Sequence, residues 1–449
     1  MTSSERDVAW WPPFSRADEG SSPDGPPVLV RGDGVWLEAL DGRRLLDGVG
    51  ALEAMAVGHG RQRLVDVAAR QMSELAFLDV FRYTSLPALG LADKLIDIAP
   101  SGMDRVLFTP GGSEAVETAL KLALQYHWVR GDHDRRLVIC RNGAYHGVTF
   151  GAMNCDGGYY STRNDVYLGS TRFGVVAEGP ATGEGWGMGA PYAAGAQQFA
   201  EAIERVGPQN VAAVIVDPCA TASGVAAAPP SDLVALRALC DQHGILLIAD
   251  EVITGFCRTG TMFASQLADV TPDLMTVSKA LSSGYMPIGA TIVNERVTTA
   301  INDAEGRDAV FAHGHTYGGH PVACAVASEN IAILEEERLD LAAAARGQYL
   351  RARLGELATH DTFVDARGIG MLNGLELLPG GDADAGRFGT AASACVWLRK
   401  RLRDIGLVTL TVHPGRVFLL APPLIVSEAE LDTLVEMLDQ GLSDLEAAR

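Results

Sequence analysis

Basic residues are scarce in this chain. Lys and Arg number 36 against 56 Asp and Glu, a formal net charge of −20. Nucleic acid and anionic membrane surfaces both select a basic footprint, so the deficit argues against either partner. It leaves room for a small anion in a local pocket. Paired cysteines are missing too. The seven cysteines, at 140, 155, 219, 240, 257, 324 and 395, form no CxxC pair and no Cys/His cluster with zinc spacing. No metal is expected, and an odd, dispersed set points to reduced thiols in a cytoplasm. No apolar run is long enough to span a bilayer. The start, Met1-Thr2-Ser3-Ser4-Glu5-Arg6-Asp7, lacks the basic-then-apolar pattern of a signal segment. The expectation is a soluble cytoplasmic protein. What is present is a globular composition, 47% hydrophobic and 20% charged over 449 residues. That length holds two or three structural units with a sizeable core.

Residues 1–28 are polar and rich in Pro, Ser and Gly, around an aromatic knot, Trp10-Trp11-Pro12-Pro13-Phe14. Such an arm docks on its own domain or on a partner. Val28–Val30, Val35–Leu37 and Arg44–Asp47 read as short strands, and 61–77 and 87–98 as helices. From residue 104 apolar strands alternate with helices. The strands are 105–109, 137–140, 211–216, 245–250, 274–277 and 288–293. Continuous apolar strands of this kind make a mostly parallel sheet buried on both faces. Ligands sit beyond the carboxyl ends of such strands. Thr109, Asp217, Asp250 and Lys279 lie at or just past those ends, so they are expected to converge on one edge. Residues 156–195 are Gly-rich and polar, a long stretch read as either a mobile lid or a disordered loop, with its aromatics favouring a lid. Residues 338–449 read as a smaller α/β unit with helices at 339–357, 390–405 and 427–447.

The stretch Leu274 to Gly284 carries the chemistry. An apolar strand delivers Lys279 into a turn of small residues. Most lysines are solvated surface groups. A desolvated one is a nucleophile able to form a Schiff base with a carbonyl. Pro110-Gly111-Gly112-Ser113, between a strand and a helix, offers N–H groups, a hydroxyl and a helix dipole to an anion such as phosphate. Tyr145-His146-Gly147 follows another strand and can stack on a planar ligand. Asp250 ends the most hydrophobic strand and needs a cationic partner; Glu251 points the other way. Taken singly, these features are an ordinary turn, an ordinary aromatic and a structural acid. Together they suit one cofactor, pyridoxal 5′-phosphate (PLP). Its aldehyde would meet Lys279, its phosphate Gly112 and Ser113, and its ring nitrogen Asp250, which would hold the ring as an electron sink.

The motifs resemble those of class III pyridoxal-phosphate aminotransferases. The resemblance rests on Ala249-Asp250-Glu251-Val252 through Arg258-Thr259-Gly260, and on Pro272-Asp273-Leu274 through Ser278-Lys279-Ala280. It extends to Gly112-Ser113-Glu114-Ala115, Tyr145-His146-Gly147 and His315-Thr316-Tyr317-Gly318-Gly319. It covers nearly the whole chain, from Trp11-Pro12 to Pro422-Pro423-Leu424. It implies PLP-dependent fold type I, of the aspartate-aminotransferase kind. A large domain with a mostly parallel seven-stranded sheet is joined to a smaller α/β domain. The implied division is 1–70, a segment joining the small domain, 71–325, the PLP-binding domain, and 326–449, the small domain. It further implies a homodimer with shared active sites. Tyr145 and Val252 would cover the two faces of the ring, His146 would belong to the cofactor site, and Thr316 would reach the partner's phosphate. Lys279 would anchor the cofactor and carry the proton.

The implied reaction moves an amino group from a primary amine or ω-amino compound to a 2-oxo acid or aldehyde. Two alternatives stay open: a racemase, epimerase or aminomutase of the same fold, and a non-catalytic binding protein. Substrate positions depart from the family pattern. Asp217-Pro218-Cys219-Ala220-Thr221 stands where Glu-Pro-Val-Gln-Gly is common. Val412 stands where many ω-amine members carry a carboxylate-binding arginine, and Arg416 is the nearby substitute. Glu53 occupies a segment where a bulky aromatic often lines the pocket; a carboxylate there could hold a second amine or hydroxyls. Trp11, Phe81, Arg82 and Trp186 complete the substrate candidates.

Overall fold

The computed structural model describes residues 9–16, 27–157, 166–178, 195–412 and 415–449. Trp186 and most of the expected lid lie outside these. The N-terminal strands β1 (Leu29–Asp33), β2 (Trp36–Ala39) and β3 (Arg44–Asp47) form an antiparallel meander. It is extended by β15 (Leu407–Val408), which pairs parallel to β3 from the far end of the chain. The segment before residue 70 and the C-terminal segment thus share one sheet.

The central sheet has seven strands. They are β4 (Met103–Thr109), β5 (Leu137–Arg141), β6 (Gly174–Ala177), β7 (Val211–Val216), β10 (Leu246–Asp250), β11 (Leu274–Val277) and β12 (Gly289–Asn294). Their order is β4-β12-β11-β10-β7-β5-β6. Only β12 runs antiparallel to its neighbours. The other six carboxyl ends therefore share one edge. Every residue of β7, β10 and β11 is buried. Apolar clusters explain why. The helix Gly112–Val129 packs with Val138, Ile215 and Ile248 on one face. The helices Ala196–Val206 and Pro230–His243 pack with Val214, Val216 and Leu247 on the other.

One expectation is corrected. Residues 156–195 are not all loop, because Gly174–Ala177 is the edge strand β6, paired parallel to β5. Two adjacent valines in this short run suit a half-covered edge. A surrounding excess of glycine hid them from composition. Beyond residue 338 the helices Leu339–Gly355, Ala391–Asp404 and Glu428–Ala448 stand at the expected places. They cover a second sheet, order β13-β14-β17-β16, of Phe363–Ile369, Leu372–Leu377, Val417–Leu420 and Leu410–Val412. Among the described residues no helix is long and apolar enough to cross a membrane.

The helix Leu339–Gly355 lies close on the turn between β13 and β14. A Cβ built at Gly347 would come within 1.8 Å of the Gly370 carbonyl oxygen. A backbone atom cannot swing aside as a side-chain tip does. Gly347→Ala should therefore destabilise the protein by roughly 1–3 kcal/mol, the usual cost of overpacking. Thermal unfolding measures it; an unchanged midpoint contradicts this packing.

Candidate active site

The carboxyl ends of the parallel strands border a cavity of about 160 Å³. Gly112, Ser113, Tyr145, His146, Asp250 and Lys279 all line it. Each arrives by a similar route, at the end of a strand of the sheet or within five residues past it. β10 ends at Asp250; β11 ends at Val277, and Ser278 and Lys279 follow. Lys279 has φ +45°, a left-handed conformation that non-glycine residues adopt at a cost. It opens a tight 3₁₀ turn, Lys279–Leu281. Its Nζ donates to Glu53 Oε2 at 2.5 Å.

Asp250 is 7% exposed and its carboxylate is fully engaged on the protein side. Oδ1 accepts from the Thr276 hydroxyl at 2.9 Å and from the Val252 N–H at 3.1 Å. Oδ2 lies 2.6 Å from His146 Nδ1. Burial disfavours the imidazolium of His146, yet the Asp250 hydrogen bond and charge outweigh it and raise its pKa. Below that value Nδ1–H donates to Oδ2. The partner that a buried carboxylate requires is thus a histidine 104 residues away.

At the other end of the cavity the 18-residue helix Gly112–Val129 presents its N-terminus. A Cβ on Gly112 would sit 2.9 Å from Val252 Cγ1, and one on Gly147 (φ +127°) 2.4 Å from Ser113 Oγ. The cradle is closed to any side chain at either glycine. Ser113 Oγ accepts from the Val148 N–H at 3.1 Å, a bond that does not use its own proton. A helix N-terminus, a hydroxyl and a glycine-lined approach suit a phosphate. Half-buried Tyr145 and Val252 line the space between phosphate end and acid. An acid, an aromatic ring, an anion cradle and an amine lining one cavity fit PLP.

Sequence reasoning passed over three side chains here. Thr276 orients Asp250. Arg141, the last residue of β5, pairs with Asp217 at 2.8 Å and donates to its carbonyl. A charged residue closing an apolar strand was the available signal, the same one that marked Asp250. Arg258 is fully buried and donates to the carbonyls of Met55, Ala421 and Pro422; burial lowers its pKa to about 10. Cys219 also lines the cavity, but burial pushes its thiol up to about 12, so it is no nucleophile near neutral pH.

The substrate candidates fare differently. Glu53 is paired with Lys279, although it is not among the residues lining the cavity. Arg416 is buried and is not among the residues lining the cavity. It is 6% exposed, with Nη2 3.2 Å from Glu376 and Nη1 bonded to the Leu378 carbonyl. Its charge is committed to the small sheet. Val412 is buried in an apolar cluster with Val49 and Cys219. Phe81 is 68% exposed in its own chain and is not among the residues lining the cavity. Arg82 is exposed and paired with Asp79. Trp11 lines a separate groove with Phe14, Val148 and Phe150. Thr316 is exposed and is not among the residues lining the cavity of its own chain.

Comparison with known proteins agrees with this geometry. The family model "Aminotransferase class-III" matches residues 21–442, and the chain belongs to that family. It is 36% identical to the putrescine–pyruvate aminotransferase of Pseudomonas aeruginosa over 97% of this chain and 94% of that protein. It is 34% identical to an omega-aminotransferase of Caulobacter vibrioides over 98% of each. Its fold matches the crystal structure of an amine transaminase from an uncultivated Pseudomonas species in its PLP-bound form. There the TM-score is 0.87 and identity 32%, over 98% of this chain and 99% of that one. The protein is a PLP-dependent aminotransferase of fold type I, acting on small-molecule amine and keto substrates.

The His146–Asp250 pair has a pH signature. A raised folded pKa means the stabilisation is full below the ordinary histidine value of about 6.5 and is lost as pH rises through the folded value. The stability difference between wild type and His146→Gln, measured by unfolding from pH 5 to 9, should shrink toward the alkaline end. A constant difference would show that the pair does not change its protonation between pH 5 and 9.

Proposed function

We propose that this enzyme moves an amino group from a primary or ω-amine to a 2-oxo acid or aldehyde, with the following division of labour. Lys279 Nζ anchors the cofactor, gives way to the incoming amine and then carries the proton from the substrate carbon. Asp250 holds the ring nitrogen protonated, and His146 and Thr276 fix its orientation. The Gly112–Ser113 helix start takes the phosphate. Tyr145 and Val252 cover the two ring faces. When bound, PLP supplies the aldehyde that captures the amine and a cationic ring that withdraws charge from the reacting carbon. Lys279 suits a proton carrier because its amine lines the cavity from a tight 3₁₀ turn. The observation that carries the reading is the pairing of Asp250 with His146 and Thr276 in the same cavity as Lys279. The relative whose name pairs putrescine with pyruvate supports an amine donor and a 2-oxo acid acceptor.

The same reading makes the enzyme a cytoplasmic homodimer. Thr316 is exposed in its own chain, which supports a role at the phosphate of a second copy. Exposed Phe81, Tyr83, Leu86 and Tyr317 support an apolar contact face. The division into 1–70, 71–325 and 326–449 is supported by the pairing of β15 with β3.

Two measurements test this. Amine alone, without acceptor, should convert the enzyme-bound cofactor to its pyridoxamine form in one stoichiometric turnover, followed by absorbance. Racemisation without that conversion would favour the isomerase reading. Lys279→Ala should still bind the cofactor weakly through its phosphate, while turnover falls roughly a thousandfold or more. Substantial residual activity would remove Lys279 from its role.

A further inference from the structure

Lys279 also faces a carboxylate that the chemistry above does not use. Glu53 has its side chain 4% exposed, and its Oε2 lies 2.5 Å from Lys279 Nζ. Its loop is bent to reach that position. Ala51, Leu52 and Glu53 have φ of 46°, 66° and 59°, a run of left-handed residues without a glycine among them. Asp47 holds the bend by accepting the N–H groups of Val49 and Ala51. Arg258 holds its exit through the Met55 carbonyl. Arg258 lends Glu53 a favourable field, but its described hydrogen bonds all go to carbonyls.

Lys279 is the cation in contact with Glu53. In the amino-transfer reading, on which this inference rests, Lys279 commits that nitrogen to the cofactor and each substrate amine then takes its place. A buried carboxylate is then left short of a cation, which is costly unless another arrives. We propose that Glu53 recognises a second cationic nitrogen on the substrate, so that the preferred donor is a short diamine. Reach limits its length. A nitrogen bonded to either Glu53 oxygen lies roughly 5–8 Å from the place of Nζ by ordinary hydrogen-bond distances. Covalent geometry spans that with roughly three to five carbons. A chain of net charge −20 also draws in a dication.

The test compares 1,4-diaminobutane, 1-aminobutane and 4-amino-1-butanol as donors to pyruvate with the holoenzyme. The diamine should exceed both others in kcat/KM by roughly tenfold or more, the discrimination available to a paired polar contact. Glu53→Gln should collapse that ratio toward one, chiefly through a higher KM for the diamine. Equal rates in the wild type, preference for the amino alcohol, or a ratio untouched by Glu53→Gln would each overturn the inference and leave aminotransfer standing. Transfer from none of the three would overturn the amine-donor reading and the inference with it. A second readout needs no turnover and no cofactor. In full-length Lys279→Ala protein, 1,4-diaminobutane should raise the unfolding midpoint more than 1-aminobutane does. Lys279→Ala/Glu53→Gln should lose that difference. No difference in the single variant overturns the proposal.

Discussion

A buried carboxylate must find a cation or a set of donors, and this site is organised around that demand. Three acids line the cavity or border it. Asp250 is answered by His146, Asp217 by Arg141 and Glu53 by Lys279. The partners are 104, 76 and 226 residues apart in sequence. Each pair therefore closes a long loop and ties separate elements to one edge of one sheet. Satisfied pairs of this kind contribute little net stability. Breaking one leaves a charge stranded, so they specify which arrangement of the elements is allowed.

The sheet makes the pairs possible. Six parallel strands bring their carboxyl ends to one side, and β12 alone runs the other way. The apolar interiors of β7, β10 and β11 contribute burial, while the residue at or after each end contributes chemistry. Burial and function thus divide the same strand between them. The Gly112 helix start adds the anion cradle because glycine at 112 and 147 lets backbone approach where a Cβ would collide. The small sheet and the β15–β3 pairing hold the N-terminal loop, with Glu53, against this edge.

Much of this was legible in the residues. The strand ends carrying Asp250 and Lys279, the glycine turn at 111–112 and the helices at 321–336 and 428–448 have strong local signals. The short edge strand β6 did not, because its two valines sit within a glycine-rich region. Arg416 lacked a signal for a different reason. Its neighbours in sequence describe a turn, but its partner Glu376 lies on an adjacent strand, and only that contact shows the charge already committed. Phe81 was not placed by sequence, because an aromatic residue announces burial without saying against what.

The sequence by itself determined the fold class, the family and the cofactor. These rest on periodicity, strand-end residues and motifs whose spacing is local. Tertiary structure decided what each charge faces. Glu53 is one acid in an uncertain segment until the left-handed turn at 51–53 brings it to Lys279. Asp250 is an acid seeking a partner until His146 arrives from another strand end. A charge is read from its own position in the chain, but its compensation depends on distance in space, and no linear pattern encodes that distance.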